Sequence, residues 1–541
     1  MQPNTRRIVI LGGGFGGVYT ARALERALKN DPAAEVSLIS KENYFTFHTM
    51  LPEVISGEIG LLDTVSPLHG LLPRTRVYVR EIESVDLERK VVRLQPGFAR
   101  RIHEIPYDHL VIALGNVTDF RGLPGLHEHA MSFKSLADAI SLRNHLIHVL
   151  EEASVEIDPL VRRELLTFVV AGGGFSGVEV CAELNDFVRK VARERRVGRL
   201  DELRVVLLHS GERILEREVP ASLGKYAEKI LRRRGIDLRL NTRLVTASPA
   251  AAILSTGERI PCRTLVSTVP SAPHPLIAAL DLPQNKGKIT VDGQMRVTGC
   301  NDVWALGDCA LIPLPSGGFA PPTAQHAVRE ATLLAHNILA TLHGREMKTF
   351  AFAGLGKLGA LGRRSAVAEL MTHVRLSGIL AWFAWRTIYW FKLPGFGRKV
   401  KVGLSWALDL LLPTETVQLR LNSPSALSQL HYEPGEAVFL QNDVGDAFYM
   451  ILDGEVEISR EDEGQPPQRL AVMRAGEFFG EMALLGRQPR SATVRALTPL
   501  TVLALRGREF HALVDHIPNL RGSIEQVMER RGAPVETGDA T

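Results

Sequence analysis

The chain opens on a short apolar run, Arg7 to Leu11, that stops abruptly at GGGFGG and gives way to VYTARALERAL, whose apolar positions recur at helical spacing. The same change of pattern returns at LLTFVVAGGGFSGVEVCAEL, about 160 residues later. Two more apolar runs end in glycine: LVIALGN, Leu110 to Asn116, and NDVWALGDCA, Asn301 to Ala310. Strand, glycine turn and helix in that order predict parallel α/β units. Past Pro424 the pattern changes to short alternating strands broken by Pro-Gly, Asp-Gly and Ala-Gly, as in HYEPGEAVFLQND and AFYMILDGEVEIS, which predicts a small β-roll or jelly roll.

The glycine turns carry the first chemistry. Gly12, Gly14 and Gly17 have GxGxxG spacing, with Phe15 and Gly16 between them, and Gly172, Gly174 and Gly177 repeat it. In such a turn one glycine makes the bend, one lets backbone N–H groups approach a pyrophosphate, and one permits close helix packing. The following helix turns its positive end toward the phosphates. Two such turns suit a flavoprotein in which one fold holds FAD and an inserted fold holds NAD(P)H. Ala113 and Gly115 close the first part, and Gly307-Asp308 places a carboxylate within reach of a flavin's ribityl or pyrophosphate region.

Together with NYFTFHTMLPEVISG, PPTAQHAVREA and the block Gly354 to Leu419, these motifs resemble the type II NADH:quinone dehydrogenases, over about residues 5–420. The resemblance implies bound FAD, NADH or NADPH as reductant and a membrane quinone as acceptor. It further implies that Ala324 and Gln325 lie beside the flavin at the quinone pocket and that Glu179 sits near nicotinamide and quinone. The ribose-binding acids that usually follow the second strand of each fold are absent: Ser40 stands at the first position, with Glu42 two residues on, and His209 at the second, near Arg213. The choice between NADH and NADPH stays open. His48 and His326 are candidate proton donors to a quinone, although such histidines more often serve structure.

In SGILAWFAWRTIYWFKLPGFGRKVK, Trp382, Trp385 and Tyr389 fall on one helical face, flanked by Arg386, Lys392, Arg398, Lys399 and Lys401. This predicts a helix whose aromatic face lies in the headgroup layer of an anionic membrane. The longest uncharged apolar run, Leu376 to Trp385, is too short to span a bilayer. In the C-terminal part, FGEMALLGRQPRSATV resembles the phosphate cassette of cyclic-nucleotide-binding domains. That resemblance implies Glu481 on the ribose, Arg490 on the cyclic phosphate of cAMP or cGMP, and Gly480, Ser491 and Ala492 completing the cradle.

The expected organisation is a first FAD-binding part (1–160), an NAD(P)-binding domain (161–285), a return to the first fold (286–345) and a membrane-associating or dimerisation segment (346–415). A linker (416–426), a cyclic-nucleotide-binding domain (427–520) and a tail (521–541) follow. Composition adds exclusions. Lys and Arg exceed Asp and Glu only by 64 to 60, so no nucleic-acid footprint is present. The cysteines at 181, 262, 300 and 309 form no CxxC or CxxxxC pair, which offers neither a metal site nor a redox dithiol. A peripheral protein on the cytoplasmic face of the cell membrane is expected, with a homodimer compatible. The alternatives are a sulfide:quinone or ferredoxin-type reductase, and a flavin-based redox sensor.

Overall fold

The computed structural model describes residues 6–31, 33–97, 101–120, 123–195, 197, 200–268, 272–371, 374–409, 417, 427–461, 467–486 and 488–530. The chain divides into two compact units, residues 1–92 with 106–420 and residues 93–105 with 421–541. The linker expected at 416–426 falls, apart from residue 417, outside the described residues.

The first unit is built on two parallel sheets. β1 (Arg6–Leu11) leads into α1 (Phe15–Ala27) and then β2 (Ala34–Ser40), and α2 (Pro52–Ser56) precedes β3 (Arg76–Val79) and β4 (His109–Ile112). The second fold runs through β5 (Thr167–Ala171), α3 (Phe175–Arg195), β6 (Arg204–Leu208), α4 (Ala221–Arg233), β7 (Ile236–Arg239) and β8 (Thr264–Ser267). β9 (Val303–Ala305) then joins the first sheet beside β4, giving the order β9-β4-β1-β2-β3. The expected insertion of one fold into another is therefore present. The second sheet is ordered Met131–Ser132, β8, β5, β6, β7. Because Met131–Ser132 already pairs with β8, the first fold is left before residue 131, ahead of the expected boundary at 160.

In both sheets the strand order reverses beside the glycine turn, between β1 and β4 and between β5 and β8. Such a switch point opens a crevice at the carboxyl ends of the strands. The strand residues that lead to it, such as Ile8, Val9 and Ile10 of β1, form a continuous apolar run and are fully buried, as in a parallel sheet covered on both faces.

After α5 (Ala324–Leu342) the chain makes an antiparallel sheet, β10 (Gly356–Ala360), β11 (Ala366–Leu370) and β12 (Val374–Ser377), and two helices, α6 (Gly378–Lys392) and α7 (Phe396–Asp409). Here the sequence reading needs correction. Trp382 and Trp385 are buried, and so is Arg386, so the aromatic stripe packs inward and does not face a membrane. The Arg386 guanidinium lies 4.1 Å from the Trp382 ring centre and 4.7 Å from that of Trp406, and pairs with Glu58 and, at 3.6 Å, with Glu53. Trp406 Nε1–H donates to Glu53 at 3.0 Å. Arg398 likewise turns to Asp63 at 3.3 Å. The opposite faces of the two helices expose Ile379, Leu380, Phe383 and Phe391, and Phe396, Val400, Leu404 and Leu408. Among the described residues no helix is long and apolar enough to cross a membrane.

In the second unit two four-stranded antiparallel sheets face each other. One contains Leu427–Tyr432, Leu500–Arg506, Ala447–Asp453 and Phe478–Phe479, and the other Ala437–Phe439, Thr493–Ala496, Glu455–Arg460 and Gln468–Arg474. Their inner faces pack Val438, Tyr449, Ile451, Val456, Phe479 and Val502, the jelly roll expected from the alternation. The closing helix Pro518–Arg530 buries Ile524 and Met528 against Phe510 and Leu484. Residues 521–530 thus belong to this unit rather than to a tail, and 531–541 lie outside the described residues.

Removing one member of a buried ion pair strands its partner, at a cost of about 3–5 kcal/mol. All five tryptophans lie in the first unit. Arg386→Ala should therefore lower the urea stability of that unit by about 3–5 kcal/mol, read by tryptophan fluorescence. An unchanged midpoint would show that the buried ion cluster does not hold the helices down.

Candidate functional site

A cavity of about 620 Å³ lies at the first switch point. Its floor is the first glycine turn. A Cβ at Gly12 would come within 2.3 Å of the Ala113 carbonyl oxygen, and one at Gly17 within 1.9 Å of Gly12 O, so only glycine permits these approaches. At Gly14 nothing lies within 4 Å, and that position faces open space. Phe15, Gly16, Ala113, Gly115, Gly307, Asp308 and Ala324 join Gly12 and Gly14 in the lining. From the second fold come Ser176 and Glu179.

Asp308 is placed by the turn after β9. Glu330 fixes that turn by accepting the Gly307 N–H at 2.8 Å, and burial raises the Glu330 carboxyl to about 7. Asp308 is itself raised by burial, against the opposing pull of Lys288 and Lys134. Asn116 Nδ2 reaches Asp308 at 3.5 Å, while the buried Asn116 Oδ1 has no partner. Lys134, which pattern alone did not single out, donates to the Val117 carbonyl at 2.7 Å and lines the same cavity.

Glu179 is buried in the first turns of α3, and the Ala360 N–H donates to its Oε1 at 2.9 Å. That hydrogen bond and the nearby Trp385 indole do not offset the lost hydration, so burial raises its carboxyl to about 8. It is therefore predominantly protonated at neutral pH. His48 opens onto the cavity and is held neutral by desolvation. His326 is buried, with Nδ1 2.7 Å from Thr323 Oγ1 and its ring edge-on to Phe352, a structural role.

Several expected residues stand elsewhere. Gln325 does not line the cavity: its amide donates to Gly356 O at 3.2 Å and accepts the Leu355 N–H at 3.0 Å, tying α5 to the β10 turn. Glu42 is exposed and hydrogen-bonds Tyr44. Ser40 is buried with its Oγ 2.3 Å from where a Gly13 Cβ would be, so it packs under the turn.

At the second switch point, Gly172 and Gly177 pack on Thr268, with Gly174 beyond. His209 presses its ring on Gly173. Arg213 cannot wait for a 2′-phosphate, because its guanidinium donates to the carbonyls of Leu215, Glu216 and Val219 at 3.1–3.4 Å. Two acids from the same loop approach instead: Glu218 Oε1 is 2.9 Å from a Cβ built on Gly174, and Glu216 Oε2 is 2.8 Å from one on Gly211. Cys309 is buried beside the Gly-Asp turn with its thiol on the Leu306 and Ile112 carbonyls, and all four cysteines are free thiols.

In the second unit, Gly480 adopts φ +90° and starts the helix Glu481–Leu485, with Glu481 buried. Arg490 reaches back across the cassette. Its guanidinium donates to Gly480 O and Ala447 O, both at 2.7 Å, and lies 4.1 Å from the Phe439 ring centre. Ala492 is buried behind it and Ser491 is exposed. Among the described residues no cluster suited to a metal occurs.

A cavity on one dinucleotide fold, walled by a carboxyl from a second fold inserted in it, defines a pyridine-nucleotide oxidoreductase of the two-fold class. The chain belongs to the pyridine nucleotide-disulphide oxidoreductase family, which matches residues 6–331, and a cyclic nucleotide-binding domain matches residues 429–516. Its relatives include the demethylphylloquinone reductase NdbB of Synechocystis, 32% identical over 74% of this chain and 95% of that protein. The type II NADH:quinone oxidoreductase NdhA of Mycobacterium tuberculosis is 28% identical over 75% of this chain and 87% of that protein. The same fold occurs in NDH2 from Plasmodium falciparum in complex with NADH, with TM-score 0.71 and 19% identity over 76% of this chain and all of that one.

Proposed function

We propose that this protein is an FAD-dependent NADH:quinone oxidoreductase that works on a membrane surface and binds a cyclic nucleotide through its C-terminal domain. The observation that carries the reading is the single cavity lined both by the first glycine turn with Asp308 and by Glu179 of the second fold. FAD fits what is there: open space at Gly14 for a pyrophosphate, the partnerless Asn116 Oδ1, and a half-buried carboxyl at Asp308 for ribityl hydroxyls. When bound, the flavin supplies two-electron transfer from nicotinamide to quinone.

The residues of the chain position and protonate. The α1 N-terminus and its glycine N–H groups hold pyrophosphate, Glu330 keeps Asp308 in place, and Glu179 holds a proton at the cavity wall for the reducing quinone. A carboxyl raised to about 8 keeps that proton below pH 8 and loses it above, so quinone reduction should fall as pH rises through that value. Glu216 and Glu218 put negative charge where a 2′-phosphate would come, and Arg213 is committed elsewhere, which favours NADH.

The sulfide reading needs a cysteine pair at the flavin, and it is disfavoured because no cysteine is among the residues that line the cavity, the Cys309 thiol being turned to the Leu306 and Ile112 carbonyls. Membrane binding is supported by the exposed apolar rows of α6 and α7 with Lys392 and Lys401 beside them, which suits a peripheral protein on the cytoplasmic face.

Anaerobic mixing with NADH should bleach the flavin absorbance and a quinone analogue should restore it, with NADH preferred over NADPH by at least about tenfold in kcat/KM. Glu179→Gln should lower the quinone step by about 10²-fold and abolish its fall near pH 8. A protein that bleaches but is never reoxidised by quinone would exclude this acceptor. Leu380→Glu with Leu404→Glu should release the protein from anionic vesicles, and unchanged pelleting would exclude the helix pair as the anchor. Calorimetry should detect cAMP or cGMP, with Arg490→Lys weakening either by about tenfold or more, since Lys lacks the forked donor. Equal affinity in a folded variant would exclude Arg490 as the phosphate ligand.

A further inference from the structure

A second cavity, of about 680 Å³, opens far from the first, where the C-terminal half of α3, the end of α4, Ser56 with Glu58, and the β10–β11 turn at Arg363 converge. α3 links the two sites: Glu179 and Arg193 are fourteen residues apart on it, roughly 20 Å at 1.5 Å per residue. Six cationic side chains line the second cavity, Arg189, Lys190, Arg193, Arg233, Arg234 and Arg363, against two carboxylates, Glu58 and Asp186, an excess of four positive charges.

The carboxylates are already engaged. Asp186 takes both oxygens to Arg234 Nη1, at 2.6 and 2.8 Å, and accepts the Arg363 N–H at 2.9 Å. Gly362, at φ +83°, makes room, because a Cβ there would stand 2.6 Å from Asp186 and 2.7 Å from Arg234. Glu58 is paired to the buried Arg386. Arg189 is clamped to Asn185 Oδ1, Leu200 O and Gly235 O and so cannot swing away, while burial and the neighbouring charge of Arg193 lower its proton affinity. Lys190 has only a contact at 3.9 Å to Glu194, and Arg193 and Arg233 are exposed at the rim.

Ordinary solvated basic faces spread their charge and let long side chains diverge. Here the cations converge on a concave space, two of them fixed, with six positive charges facing two lining carboxylates. A bound anion offsets that excess, and guanidinium forks match phosphate oxygens. The volume is that of a small-molecule site rather than of a single ion.

We propose that this cavity is a binding site for a phosphorylated polyanion, separate from the dinucleotide sites, with Arg193 and Arg233 as its principal contacts and Arg189 and Lys190 as support. The phosphates come either from a soluble oligophosphate or from an anionic lipid headgroup.

The test uses the full chain, its Arg193→Glu/Arg233→Glu variant and two probes: inorganic triphosphate by calorimetry, and vesicles with and without an anionic phospholipid by pelleting. Both substituted residues are exposed, so the tryptophan-monitored urea midpoint should stay unchanged. Triphosphate binding weakened tenfold or more by the variant supports a soluble ligand. Vesicle binding that needs anionic lipid and is lost in the variant, with no triphosphate heat, supports a headgroup. Absence of both, or equal affinity in the folded variant, overturns the proposal.

Discussion

The arrangement of the enzymatic unit depends on one buried cation. Arg386 sits between the indole faces of Trp382 and Trp406 and satisfies Glu53 and Glu58, both buried. A guanidinium and two carboxyl groups out of water are expensive, and they persist only because every member is present. The cluster joins three segments distant in sequence: the α2 region, α6 and α7. It thereby decides which face of each late helix turns outward. With the tryptophans committed to the cation, the remaining apolar side chains, Leu380, Phe383 and Leu404 among them, are left exposed among the described residues.

The same region explains the state of Glu179. α2 packs along α3, and the carboxyls of Glu53, Glu179 and Glu183 share one poorly hydrated volume. Desolvation is the largest influence on all three and raises each. Arg386 pulls Glu53 down and the Ala360 N–H and the Trp385 indole pull Glu179 down, yet burial outweighs both and leaves each raised to about 8, so the carboxyl at the cavity wall keeps its proton. The raised carboxyl of Glu179 and the anchoring of the late helices therefore draw on one low-dielectric pocket.

Much of this was legible in the sequence. The two glycine turns and the Gly307-Asp308 strand end follow from steric requirements that only particular residues meet, and these requirements locate both switch points. The jelly roll follows from alternation. What pattern could not give was direction. Trp382, Trp385 and Tyr389 do share a face, yet periodicity does not say whether that face looks at lipid or at protein. Arg386, four residues after Trp382, lies on the same face; it finds its acids at Glu53 and Glu58, more than 320 residues earlier in the chain. Gln325 and Arg213 show a related limit, since a polar side chain close in sequence to a site can spend its hydrogen bonds on local carbonyls and amides.

Arg490 poses that question for the C-terminal module. Its donors already hold Gly480 O and Ala447 O, and its charge rests on Phe439. A cyclic phosphate that takes this guanidinium must replace those partners, so its net affinity is the difference between two good sets of hydrogen bonds. The carbonyls released sit at meaningful places: Gly480 caps the helix Glu481–Leu485, and Ala447 begins a central strand packed against that helix. A ligand moves an equilibrium only by what it gains differently in two states. In this module the bonds at stake lie at the start of the cassette helix, at Gly480 O, and on the strand beside it, at Ala447 O.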